Sequence, residues 1–167
     1  IDGQVFYILD DVPRAASYDI CNFTIPGERP LSLAMPAPPL FAQNPAAPAV
    51  RNFDGVVSTT VTVNRNLMDF YTNYPPCHWS VYAATALTAP VCGQLYPPLR
   101  AAVAGKGERE AAELLLHYLH RAFPYKTDEA QFGIERTLFA EEMYYYPYSD
   151  CEDRSILFAR LVKDLLG

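Results

Sequence analysis

Tyr146-Pro147-Tyr148-Ser149-Asp150-Cys151-Glu152-Asp153 is the stretch of this 167-residue chain whose residue types and spacing suit covalent chemistry. Ser149 and Glu152 stand at capping-box spacing, and Asp150 and Asp153 repeat it with an acid in each role. Either choice puts Cys151 in the first turn of a helix. Free backbone N–H groups and the positive end of the helix dipole stabilise a thiolate there. A thiolate so placed can attack a carbonyl carbon. The acids Asp150, Glu152 and Asp153 oppose its charge unless they point away, so a cation, normally an imidazolium, has to act locally. The plain alternative is a small buried hydrophobe at a helix start. Cys151 lies seven residues before Phe158, which predicts that it sits on the packed side and faces another layer rather than water.

Histidines that could serve as base are His78, His117 and His120, and all three precede Cys151. His117 and His120 are i and i+3 on one helix, with Glu113 at i−4 from His117. No third ligand closes a metal site, and both suit the negative end of a helix dipole. His78 sits between Cys77 and Trp79 and approaches Cys151 only if the fold brings it there. Cys77 and Cys92 flank a predicted strand and could pair, whereas Cys21 reads as a buried free thiol. The four cysteines match no zinc spacing, and no cofactor or metal is expected.

The elements that position these residues change character along the chain. Residues 3–9 and 21–25 read as short strands. From Pro26 to Val50 seven prolines exclude a helix or a central strand, so an extended strip docked on a surface is expected. Gly55–Val63 alternates as a half-buried strand, with Val57, Thr59, Val61 and Val63 on one face. Asn64-Arg65-Asn66 then turns, Leu67–Tyr74 returns as a partner strand, and Trp79–Leu87 forms another. Helix follows from about residue 90, with Pro97-Pro98 tolerable only near its start. A stronger helix begins near Glu108, stops at Pro124, and carries Ala111, Leu114, Leu115, Tyr118, Leu119 and Ala122 on one stripe. Residues 125–149 read as a loop, and the last helix runs from Ser149 or Asp150 to Gly167.

The run from Tyr148 through Cys151 to Leu165-Leu166-Gly167 resembles the nucleophile helix of the transglutaminase-like superfamily, papain-like proteins with a Cys-His-Asp triad. Ala122-Phe-Pro-Tyr125 is similar to that family's preceding helix end. Gln131-Phe-Gly133 and Tyr144–Asp150 resemble an exported Bacteroidetes-type branch. The likeness covers roughly residues 90–167 and stops before the positions of the family's His and Asp. It implies Cys151 as nucleophile, its backbone N–H as one oxyanion donor, and Tyr146, Tyr148 or Gln131 as a supporting one. Packing of the tyrosines onto the nucleophile helix is the alternative for each. Asp153, with Ser149 and Asp150, reads as a capping residue. The likeness also implies that a second chain or a segment beyond Gly167 supplies the other half of the site.

Net charge of −6 and pI near 5.0 exclude a general nucleic-acid binder, and no apolar run is long enough to span a bilayer. The chain is therefore expected to be α+β. A β-rich region, 1–88, precedes the helical first half of a transglutaminase-like domain, 89–167. The expected activity is a thiol-dependent hydrolase or acyl transferase on peptide, isopeptide or amide bonds. It would be exported to the periplasm or cell surface and meet a peptide or protein substrate. The rival is a non-catalytic module that binds protein or glycan on the same scaffold.

Overall fold

A computed structural model describes residues 32–167 in full and the backbone of residues 6–7 and 18–19. The fold is α+β. Strands β1 (Phe6–Tyr7) and β2 (Tyr18–Asp19) pair antiparallel. The expected strand at 21–25, the start of the Pro-rich strip and Cys21 lie outside the described residues.

Strands β3 (Ala49–Phe53) and β4 (Val57–Val61) form an antiparallel hairpin with Arg51 opposite Thr59. Gly55, at φ +71°, takes the left-handed position in its turn, which costs a residue without Cβ little. The alternation expected for β4 is present: Val57, Thr59, Val61 and Val63 are buried, and Ser58 and Thr60 face out. Its partner, however, is the end of the Pro-rich strip.

Residues 67–74, expected as the return strand, fall largely in helix α1 (Arg65–Thr72) instead. Asn64 is not a turn residue but the N-cap, its Oδ1 accepting from the Asn66 N–H at 3.2 Å. Leu67, Met68 and Tyr71 share a helical face and are buried together. The expected strand at 79–87 is likewise a helix, α2 (Trp79–Ala84), capped by the His78 ring. In both segments aromatic and β-branched residues suggested strand, and the caps and the burial of adjacent pairs decide for helix.

Helix α3 (Ala89–Val103) starts where expected but carries Pro97 and Pro98 in its interior. Gly93 and Pro97 lie on its exposed side, where water can take the carbonyl that the missing N–H leaves free. The buried face of Val91, Leu95, Tyr96 and Leu99 holds the helix together across that gap. Helix α4 (Glu108–Ala122) buries the expected stripe, with Leu114 at its half-buried margin. The predicted loop 125–149 contains a short helix α5 (Asp128–Phe132), ended by Gly133 at φ +76°, and a 3-10 turn over Glu142–Tyr144. Helix α6 (Cys151–Leu165) closes the fold.

One core joins these elements, running from Val57 and Val61 through Leu67, Leu95 and Leu115 to Leu161. Residues on both sides of position 88 share it. A chain of hydroxyls crosses its centre: Tyr118 bonds Thr59 at 2.7 Å and Tyr144 at 3.0 Å. The Arg51 guanidinium lies over Phe123 and donates to the carbonyls of Met143 (3.2 Å) and Tyr146 (3.0 Å). Removing the central hydroxyl leaves buried partners unpaired. Tyr118→Phe is therefore expected to cost about 1–3 kcal/mol, read as a lower denaturant midpoint at constant slope. An unchanged midpoint contradicts the network's role.

Candidate functional site

Cys151 is the first residue of α6, and the N-cap is Asp150 rather than Ser149. Asp150 Oδ1 accepts from Glu152 N (2.9 Å) and Asp153 N (3.1 Å), and Asp153 Oδ2 accepts from Asp150 N (3.3 Å). The box takes the N–H groups of Glu152 and Asp153 and leaves the Cys151 N–H outside it. Ser149 is buried, and its hydroxyl receives a hydrogen bond from Arg154 Nε at 3.3 Å. Glu152, the other half of the alternative box, accepts from the Thr137 hydroxyl.

The Cys151 side chain is exposed, contrary to the expectation that it faces another layer. The buried stripe of α6 is Asp153, Ile156, Leu157, Arg160 and Leu161. Phe158, which seven-residue spacing places beside Cys151, is itself only half-buried, so both lie at the margin of that stripe.

Two strands of contact fix this end of α6. The segment before it runs beside the exit of α4: Tyr125 and Ser149 form a parallel bridge, and Ser149 N donates to Pro124 O at 3.2 Å. Arg154 adds a clamp, donating from Nη2 to Phe123 O at 2.7 Å and lying over the Tyr125 ring at 5.2 Å. On the other side Asp153, fully buried, accepts from Leu138 N at 2.9 Å and ties the irregular run to the helix.

Tyr125 is the aromatic side chain that reaches Cys151. Its phenol is held above the ordinary range, first by the charge of Cys151, then by partial desolvation and the charge of Asp150. Arg154 works against the shift. In the sequence Tyr125 belongs to a helix end; its pairing with Ser149 is long-range and leaves no local signal.

The sequence-derived supporting residues sit elsewhere. Tyr146 OH receives Arg136 Nη1 at 2.8 Å and lies 3.3 Å from the Thr72 hydroxyl. Tyr148 is partly exposed beneath the Lys126 ammonium, and its carbonyl accepts from Gln131 Nε2 at 3.3 Å. Gln131 Oε1 is buried without a hydrogen-bond partner. None of the three side chains has a hydrogen bond to Cys151. None of the histidines has a hydrogen bond to Cys151 either. His78 caps α2 and pairs with Ser80, His117 meets Phe53 edge-on, and His120 is exposed. Cys77 and Cys92 are free rather than bridged, the Cys77 thiol beside Tyr82 and the Cys92 thiol beside Tyr96, and burial pushes both up.

Acids surround the helix start. Oxygens of Asp128, Glu135 and Asp150 lie within 4.8 Å of one another. Asp128 Oδ2 already accepts from Arg136 N at 2.9 Å, as Asp150 Oδ1 accepts from two N–H groups. Burial pushes Asp128 up to about 6 and Asp153 up to about 7, with like charges adding to both. Burial also pushes Glu142 up, while the Arg136 guanidinium paired with it pulls back.

Comparison with protein-family models, with curated proteins and with solved structures finds no match to this chain. Among the described residues no helix is long and apolar enough to cross a membrane.

The raised acids give a signed pH dependence. Unfolded, Asp128 and Asp153 lose their protons near pH 4; folded, they keep them to about 6 and about 7. The folded state thus binds more protons between those values, so this contribution is complete below pH 4 and lost as pH rises to 7. The thermal midpoint is expected to fall between pH 5 and pH 8, and less steeply in Asp153→Asn. A wild-type midpoint that rises across that range contradicts the assignment.

Proposed function

We propose that the head of α6 is the nucleophile end of a thiol-dependent hydrolase or acyl transferase acting on peptide, isopeptide or amide bonds. The observation that carries the reading is the exposed Cys151 thiol on the first residue of a capped helix, with its own N–H outside the capping box. The sulfur would attack the carbonyl carbon, and the oxyanion would meet the Cys151 N–H. Collapse breaks the C–N bond, and the amine leaves with a proton from the base. The resulting thioester passes to water for hydrolysis or to an amine for cross-linking. Tyr125, which holds its proton more tightly than a free phenol, would keep that proton and offer its O–H toward the sulfur.

The base is a histidine oriented by an aspartate, as the transglutaminase-like resemblance implies. On this reading both come from a second chain or from sequence outside residues 1–167, and they supply the positive charge that the acids around Asp150 demand. An exported protein meeting peptide or protein substrates fits the same proposal. The rival, a non-catalytic module binding protein or glycan, draws on that same acidic surrounding, which by itself works against a thiolate.

Trapping separates the two. Incubation of the protein together with the chain or segment that supplies the His and Asp, in a mixture of peptide anilides, followed by acid quench and intact-mass measurement, is expected to show an acyl adduct on Cys151, and no adduct in the wild type sinks the enzyme reading. Hydroxylamine should remove it, and Cys151→Ala should lack it while keeping the wild-type thermal midpoint. Adduct of equal yield in Cys151→Ala sinks the enzyme reading.

A further inference from the structure

A cavity of about 300 Å³ opens between the Pro-rich strip, the junction of β4 with α1, and the start of α3. No residue of α5 or α6 lines it. Its walls are mainly apolar and include Pro38, Leu40, Phe41, Leu67 and Leu87. One charged side chain, Glu141, lines it.

Glu141 is unusual in its surroundings. The residue is 2% exposed, yet no ion pair engages it among the described residues. Its two oxygens accept from Thr88, Oε2 from the backbone N–H and Oε1 from the hydroxyl, both at 2.8 Å. Thr88 is the N-cap of α3, so the helix dipole offsets part of the charge. Burial still holds the carboxyl above its usual range. A buried carboxylate without a counter-ion is costly, and a cation reaching it from the cavity removes that cost. Of the other polar side chains on the wall, Asn64 and Thr88 are committed: Asn64 Oδ1 accepts from two N–H groups, its Nδ2 donates to Ala42 O, and the Thr88 hydroxyl donates to Glu141, which leaves the neutral side chains of Gln43 and Thr62. Charge complementarity therefore selects one kind of occupant: an apolar body of small-molecule size bearing one ammonium. Leu40, fully exposed at the rim, offers apolar surface that such a body would cover.

We propose that this pocket binds a small free amine, its ammonium on Glu141 and its apolar body between Leu40 and Leu67. The site is separate from Cys151 and does not rest on the acyl-transfer reading.

The probes are cyclohexylmethylamine and its neutral isostere cyclohexylmethanol, with binding to the full chain followed by amide chemical shifts in NMR titration. The amine is expected to bind at least about tenfold more tightly than the alcohol, a charge-assisted contribution. Shifts should centre on residues 38–45 and 86–90. Glu141→Gln should remove the difference between the two probes. Leu40→Ala, at an exposed position that leaves the fold intact, should weaken both. Cys151→Ala should bind as the wild type does. Equal affinity of amine and alcohol for the wild type, or shifts confined to other residues, overturns the proposal even where Glu141→Gln fails to fold.

Discussion

Buried carboxylates hold the fold's least regular part to its most regular part. Between α4 and α6 the chain runs through residues 123–150 with only one short helix and one 3-10 turn, yet Leu138, Phe139 and Ala140 are buried. Backbone N–H groups taken out of water need acceptors, and no sheet supplies them here. Side-chain acids do. Asp128 accepts from Arg136 N, Asp153 from Leu138 N, and Glu142 from Phe139 N at 3.0 Å. The neighbouring Glu141 does the same for Thr88 at the start of α3. The cost of burying these charges is set against the cost of burying unpaired backbone, and like charges close together raise the first term.

That arrangement determines what Cys151 can do. Asp153 is shared between the capping box of α6 and the Leu138 amide, so the helix start and the irregular run move as one unit. Arg154 and the Ser149 bridge fasten the same unit to α4. The thiol is left on an exposed corner with Tyr125 as its electrostatically coupled neighbour. Geometry of this kind suits a nucleophile, whereas the surrounding acids do not, and a cationic base reconciles them.

Much of this was legible in the residues themselves. The period of α4 and α6, the alternation of β4, and the Asp150–Asp153 box all rest on local pattern, which the sequence displays directly. The segments read wrongly as strands, 67–74 and 79–87, contain Tyr71, Val81 and Tyr82, types that favour strands until caps at Asn64 and His78 act. Seven-residue spacing to Phe158 reports the depth of Cys151 only if Phe158 is central, and Phe158 lies at the stripe's edge. Tyr125, Arg154 and Glu141 act through partners 26, 31 and 53 residues away in sequence (Cys151, Phe123 and Thr88), a separation at which periodicity carries nothing.

The most direct test of the carboxylate scaffold is amide hydrogen exchange at Arg136, Leu138 and Phe139 in the intact chain. These amides belong to no helix or strand and have only carboxylate acceptors. Protection comparable to that of interior amides in α6 is expected. Exchange at the rate of a free peptide would mean that the acids do not hold this run, and that the position of Cys151 rests on something else.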